Sequence, residues 1–134
     1  MSDINVKASI GLDHYRVVLQ AGKNTIIGDE PLDNGGGDEG MNPYEILASA
    51  LGACTCATVR MYADRKTMPL DGLHVTLSLS RDEEKNTTTI TRDIELLGDL
   101  TPEERDRLLT IANKCPVHKI LTNPIAIETT LLNA

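Results

Sequence analysis

The segment from Asn42 to Lys66, NPYEILASALGACTCATVRMYADRK, constrains the fold most. Asn42 is an N-cap candidate, Pro43 takes the first helical position and Glu45 the third, so a helix starts here. From Ile46 to Val59 every face is apolar or small, the pattern of a helix buried all round and not of one lying on a surface. At 1.5 Å per residue, a helix reaching Lys66 is about 34 Å long, the diameter of a small domain. One chain of 134 residues struggles to cover it. A second copy completing the burial is therefore expected, and the apolar length does not suit a membrane span.

Strands flank this helix. Val6, Ala8 and Ile10 alternate with polar residues, as do Tyr15, Val17 and Leu19, with Gly11-Leu12-Asp13 between them: a hairpin. Gly22-Lys23-Asn24 turns the chain into a short third strand around Ile26. DEPLDNGGGDEG then reads as a solvated loop. Its acids, and the missing Lys-Ser/Thr ending, exclude a phosphate loop. After Pro69, Leu73, Val75, Leu77 and Leu79 alternate with polar residues. Asp82 to Asn86 turns, and Thr88, Ile90, Arg92, Ile94 and Leu96 trace the returning strand. Thr101-Pro102-Glu103-Glu104 starts a second helix that ends near Cys115, where Pro116 breaks it and opens a short turn to Leu121. A last strand is expected over Ile125 to Leu132. This order predicts a single α+β domain over residues 1–134, with largely antiparallel sheets.

The formal charge of −7, with no basic cluster, argues against nucleic acid and anionic membranes as partners and favours a small neutral or apolar ligand. MSDINVKAS lacks the basic and apolar segments of a secretory signal, so a reducing cytoplasm is expected. There, cysteines are reactive, metal-binding or buried more often than they form structural disulfides.

Cys54 lies among alanines in the long helix, and Cys115 stands directly before Pro116 in NKCPVHK. As a cap residue, Cys115 faces free N–H groups, with Lys114, His118 and Lys119 nearby, so local physics makes it the better thiolate; the alternative is simple packing at a kink. Mid-helix Cys54 reads locally as a small core residue. Cys56 is about 200° around the helix from Cys54 and reads as structural. For the same reason Cys54, Cys56, Cys115 and His118 do not converge on a zinc ion, and no metal or bound cofactor is expected. Glu45 is either a helix cap or a general base and arginine anchor. Arg16, on a strand beside Tyr15, reads first as a solvent-facing strand residue, and it is also the early cation most able to meet a thiolate.

The segments NPYEILASALGACTCATVRMYADRK and KCPVHKIL, with the order of elements around them, resemble the OsmC/Ohr superfamily of osmotically inducible and organic hydroperoxide resistance proteins. The glycine loop is closer to its broad OsmC-like branch. The resemblance implies a β(3)-α-β(2)-α(2)-β intertwined homodimer with long central helices and active sites at the subunit interface. It also implies a peroxidase in which Cys54 attacks the terminal oxygen of an organic hydroperoxide, becomes a sulfenic acid and is trapped as a disulfide by Cys115. An external dithiol resembling dihydrolipoamide would reduce the pair. Arg16 and Glu45 are the nearest matches to the family's activating arginine and its glutamate, although Tyr44 occupies the glutamate's usual place. A non-catalytic binding or redox-sensing OsmC-like protein is the competing expectation.

Overall fold

Local side-chain hydrogen bonds fix where both main helices begin. In the computed structural model, which describes residues 3–133, the amide of Asn42 donates to the Glu45 carboxylate and the Glu45 amide donates back to the Asn42 side chain, both at 2.9 Å. Thr101 and Glu104 make the same reciprocal pair at 2.9 and 3.1 Å. Each pair satisfies N–H groups that have no partner inside a helix. The elements are β1 (Lys7–Ser9), β2 (Val17–Ala21), β3 (Asn24–Gly28), α1 (Pro43–Arg65), β4 (Gly72–Asp82), β5 (Thr87–Leu97), α2 (Pro102–Ala112) and α3 (Pro116–Leu121). This is an α+β chain with two small antiparallel sheets.

The chain divides into two compact units, one comprising residues up to 49 with 79–88, the other 50–78 with 89 onward. In the first, β1, β2 and β3 pair in that order, with Ala8 opposite Leu19 and Val18 opposite Ile27. The glycine-rich loop that follows is exposed along most of its length, yet it closes around a buried carboxylate. Asp29 accepts hydrogen bonds from the amides of Glu30 (2.7 Å), Tyr15 (3.1 Å), Glu39 (3.1 Å) and Gly37 (3.5 Å). Burial pushes this carboxyl up, but the four N–H donors outweigh it and hold Asp29 below the usual carboxylate value. The knot is tight: a Cβ on Gly36 would lie 2.1 Å from the Glu30 carbonyl oxygen.

The second unit carries the hydrophobic core. Val59 and Ala63 of α1, Leu70, Leu100, and Leu108 and Ala112 of α2 form its buried centre, with Leu73, Ile94 and Leu96 of the β4–β5 sheet packed against it. Between sheet and helix, Gly98 takes φ 140°, and any Cβ there would lie 2.2 Å from the Pro69 carbonyl oxygen.

Two expectations are corrected. Within one chain α1 is not buried all round: Leu51, Thr55, Val59 and Ala63, four residues apart, form a single buried stripe, while Leu47 and Met61 are exposed. Nor does residue 125–132 form a strand. Ile125, Ile127, Leu131 and Leu132 are exposed and no ladder partner holds them among the described residues, and alternation alone does not make a strand without a neighbour. At 23 residues, α1 is also long and apolar enough to cross a membrane by length and composition alone. Core helices meet the same test, and the stripe of α1 packs into the core just described.

Candidate active site

Proline places the first thiol. Pro116 cannot continue α2, so the chain turns at Cys115, which caps α3 with an extended backbone and a sulfur that accepts from the His118 amide at 3.4 Å. Cys115 is fully buried. The second thiol, Cys54, is partly exposed on α1 and accepts from the Val117 amide at 3.4 Å. Val117 and His118 follow Cys115 at the start of α3, so one turn of chain holds both predicted cysteines, each of them free.

The cation that reaches them is Arg92. Its Nη1 lies 3.1 Å from Thr55 Oγ1 and 4.0 Å from Cys115 Sγ, while Nη2 donates to Asn113 Oδ1 at 2.8 Å and contacts His118 Nδ1 at 2.9 Å. Thr55 is itself buried and also donates to the Leu51 carbonyl at 2.7 Å, so its oxygen is free to accept from Arg92. Both ends of the guanidinium fork are thus tied, one to the thiol side and one to the turn that carries Cys115.

Burial pushes the Cys115 thiol up, but the His118 amide, the neighbouring Cys54 and Thr55 side chains and the Arg92 charge together bring it below its ordinary value of 9.0. The better thiolate expected from the helix cap is therefore also the one that receives the cation.

Sequence reasoning placed Arg92 on β5 but gave it no role. The signal was its phase: on a strand whose Ile90, Ile94 and Leu96 face inward, Arg92 occupies an inward position. Arg16 and Glu45 belong to the first unit. Arg16 lies half-buried just before β2, and the Glu45 carboxylate is engaged in the α1 cap. Cys56 is a third free thiol on α1. Among the described residues, no group of three or more His, Cys, Asp or Glu side chains is gathered to hold a metal ion.

The profile of the OsmC family, described as OsmC-like protein, matches residues 35–130. The chain belongs to the OsmC-like family. The matched stretch contains Cys54, Arg92, Cys115 and His118. Solved structures agree in fold. An OsmC-like protein of Mycoplasma pneumoniae superposes with a TM-score of 0.78 at 20% identity, covering 90% of this chain and 87% of its own. The organic hydroperoxide resistance protein OsmC of Legionella pneumophila gives 0.65 at 22%, covering 91% and 90%. The organic hydroperoxide resistance protein OhrB of Bacillus subtilis gives 0.62 at 21%, covering 90% and 91%. Comparison with curated proteins yields no match.

Proposed function

We propose that this OsmC-like protein is a thiol-dependent peroxidase that reduces organic hydroperoxides with the Cys54–Cys115 pair. The observation that carries the reading is that one turn holds both sulfurs: partly exposed Cys54 accepts from the Val117 amide, and Cys115, buried beside Arg92, accepts from the His118 amide. Cys54, the accessible sulfur, attacks the terminal peroxide oxygen and becomes a sulfenic acid. Cys115 then displaces hydroxide from it to form the disulfide, and an external dithiol restores both thiols. Neighbours named for organic hydroperoxide resistance support the substrate class. In this reading Arg92 replaces Arg16 as the cation of the site, and Glu45 acts as a helix cap. The exposed apolar residues of α1 and of the C-terminal segment support a homodimer, and the reducing chemistry suits a cytoplasmic protein.

The test is turnover of cumene hydroperoxide with dihydrolipoamide as reductant, together with trapping of sulfenic acid. Turnover should be abolished in Cys54→Ser, and Cys115→Ser should accumulate sulfenic acid at Cys54. Sulfenic acid at Cys115 in Cys54→Ser, with none at Cys54 in Cys115→Ser, would reverse the assignment. A single oxidation to the disulfide, with turnover no faster than that of the dithiol alone, would make the protein a redox sensor instead.

A further inference from the structure

The glycine-rich loop sets a reactive pair side by side. Leu32–Asn34 forms one turn of 3-10 helix, and Gly35 closes it in the left-handed region at φ 85°, a conformation that favours glycine over any residue with a side chain. The turn thus requires glycine directly after Asn34. Without a side chain on that glycine, the amide nitrogen of residue 35 is the least shielded kind to face an asparagine Cγ. Asn34-Gly35 is the only Asn-Gly pair in the chain, and both residues are exposed.

In the closed loop both reacting groups are occupied. Asn34 Nδ2 donates to Glu30 Oε1 at 2.7 Å, and the Gly35 amide donates to the Leu32 carbonyl at 3.1 Å. Glu30 is fixed in turn, because its amide donates to buried Asp29 and its carbonyl accepts from the Asp38 amide. We propose that Asn34-Gly35 is a self-modification site, where the closed loop restrains deamidation and where the reaction, once complete, opens the loop irreversibly.

The reaction needs only water. When the loop opens locally, the Gly35 nitrogen gives its proton to solvent and attacks Cγ of Asn34. A C–N bond forms, the bond from Cγ to Nδ2 breaks, and Nδ2 takes up a proton and leaves as ammonia. Water then adds to the cyclic imide and the ring C–N bond breaks, the nitrogen recovering a proton as an amide. Addition at the side-chain carbonyl leaves an aspartyl residue, and addition at the main-chain carbonyl leaves an isoaspartyl residue. One water enters for each ammonia released, and nothing is oxidised or reduced.

Either product puts a carboxylate where the donor to Glu30 stood. An ionised carboxylate only accepts, so the 2.7 Å hydrogen bond becomes a like-charge contact, with Asp33 in the same turn. The isoaspartyl form also adds a carbon to the main chain inside the turn that the Gly35 and Gly36 amides close onto Leu32 and Pro31.

The experiment ages full-length protein at neutral pH and physiological temperature, beside a synthetic peptide of sequence DEPLDNGGGDEG. Mass spectrometry and isoaspartyl detection follow residue 34. Deamidation in the folded chain should run about tenfold or more slowly than in the peptide, and equal rates overturn the proposal. Glu30→Ala should speed the reaction about fivefold, while Glu30→Gln, which keeps an acceptor, should stay close to wild type. A Glu30→Ala rate equal to that of wild type removes Glu30 as the restraint and overturns the proposal. Should Glu30→Ala fail to fold, Asn34→Asp carries the test by installing the aspartyl product directly. Amide exchange at Gly35 and Gly36 should quicken about fivefold in Asn34→Asp, and unchanged exchange overturns the opening. These readouts involve neither Cys54 nor Cys115, so they are decided independently of the peroxidase reading.

Discussion

Arg92 Nη2 lies 2.9 Å from His118 Nδ1, and since a guanidinium can only donate, the imidazole nitrogen facing it is the acceptor. The same residue's backbone amide donates to Cys115 Sγ. His118 therefore fixes both the cation and the sulfur that the cation serves.

A permanent positive charge at position 118 should repel Arg92. His118→Lys is expected to slow disulfide formation after one equivalent of peroxide about tenfold, the equivalent of one pH unit at the thiol. His118→Asn, whose side-chain oxygen can still accept from Arg92, should stay within about threefold of wild type. Acid-quenched mass spectrometry of the disulfide checks both; equal effects would remove His118 as an anchor.

The lowered Cys115 titration also links stability to pH. The folded chain releases this proton below the ordinary value of 9.0, so the stabilisation is complete above that value and is lost as pH falls through the lowered folded value. The urea midpoint of wild type relative to Cys115→Ser should accordingly decline as the pH is lowered from 9.0, and then level off. A difference independent of pH would show that the thiol titrates alike in both states.

Asp29 gives the first unit a separate acid-sensitive point. Its carboxyl is held below 3.8, so its contribution is present above 3.8 and lost as pH falls through the lower folded value. Asp29→Asn removes the charge while keeping an acceptor. Amide hydrogen exchange at Glu30, Gly37 and Glu39 should quicken in this variant, with the Cys115 titration unmoved. Unchanged exchange would mean that the loop is closed by its backbone contacts alone.

Core and cap should separate in magnitude. Leu108 is fully buried among Val59, Ala63, Leu70 and Leu100, and Leu108→Ala is expected to cost about 2–5 kcal/mol in chemical unfolding. Thr101→Ala, which removes one half of the reciprocal cap on α2, should cost about 1 kcal/mol. A larger loss at Thr101 than at Leu108 would place the stability of α2 in its first turn instead of its buried face.

What was legible in the sequence was what short segments decide. Asn42-Pro-Tyr-Glu45 and Thr101-Pro-Glu-Glu104 carry their own hydrogen-bond partners three residues apart, so the helix starts follow from spacing alone. Alternation set the faces of β4 and β5, and Pro116 set the turn at Cys115. Arg92 was not assignable in this way. Its partners Thr55, Asn113, Cys115 and His118 are 37, 21, 23 and 26 residues distant, and only tertiary structure joins them. Asp29 shows the same limit: DEPLDNGGGDEG has the composition of open loop, and the amides that close it converge from both sides of the chain. The segment 125–132 failed in the opposite direction, since a convincing alternation says nothing of a partner strand.

The complete burial of Cys115 gives a disulfide between the two cysteines a direction. An incoming dithiol can reach only the Cys54 sulfur, so the mixed disulfide would form there and Cys115 would be expelled as the leaving group. Leaving thiolates of low proton affinity depart fastest. The Arg92 cradle that favours the thiolate in the resting protein would thus also ease the bond open from the reductant's side, making regeneration a displacement with one permitted point of attack.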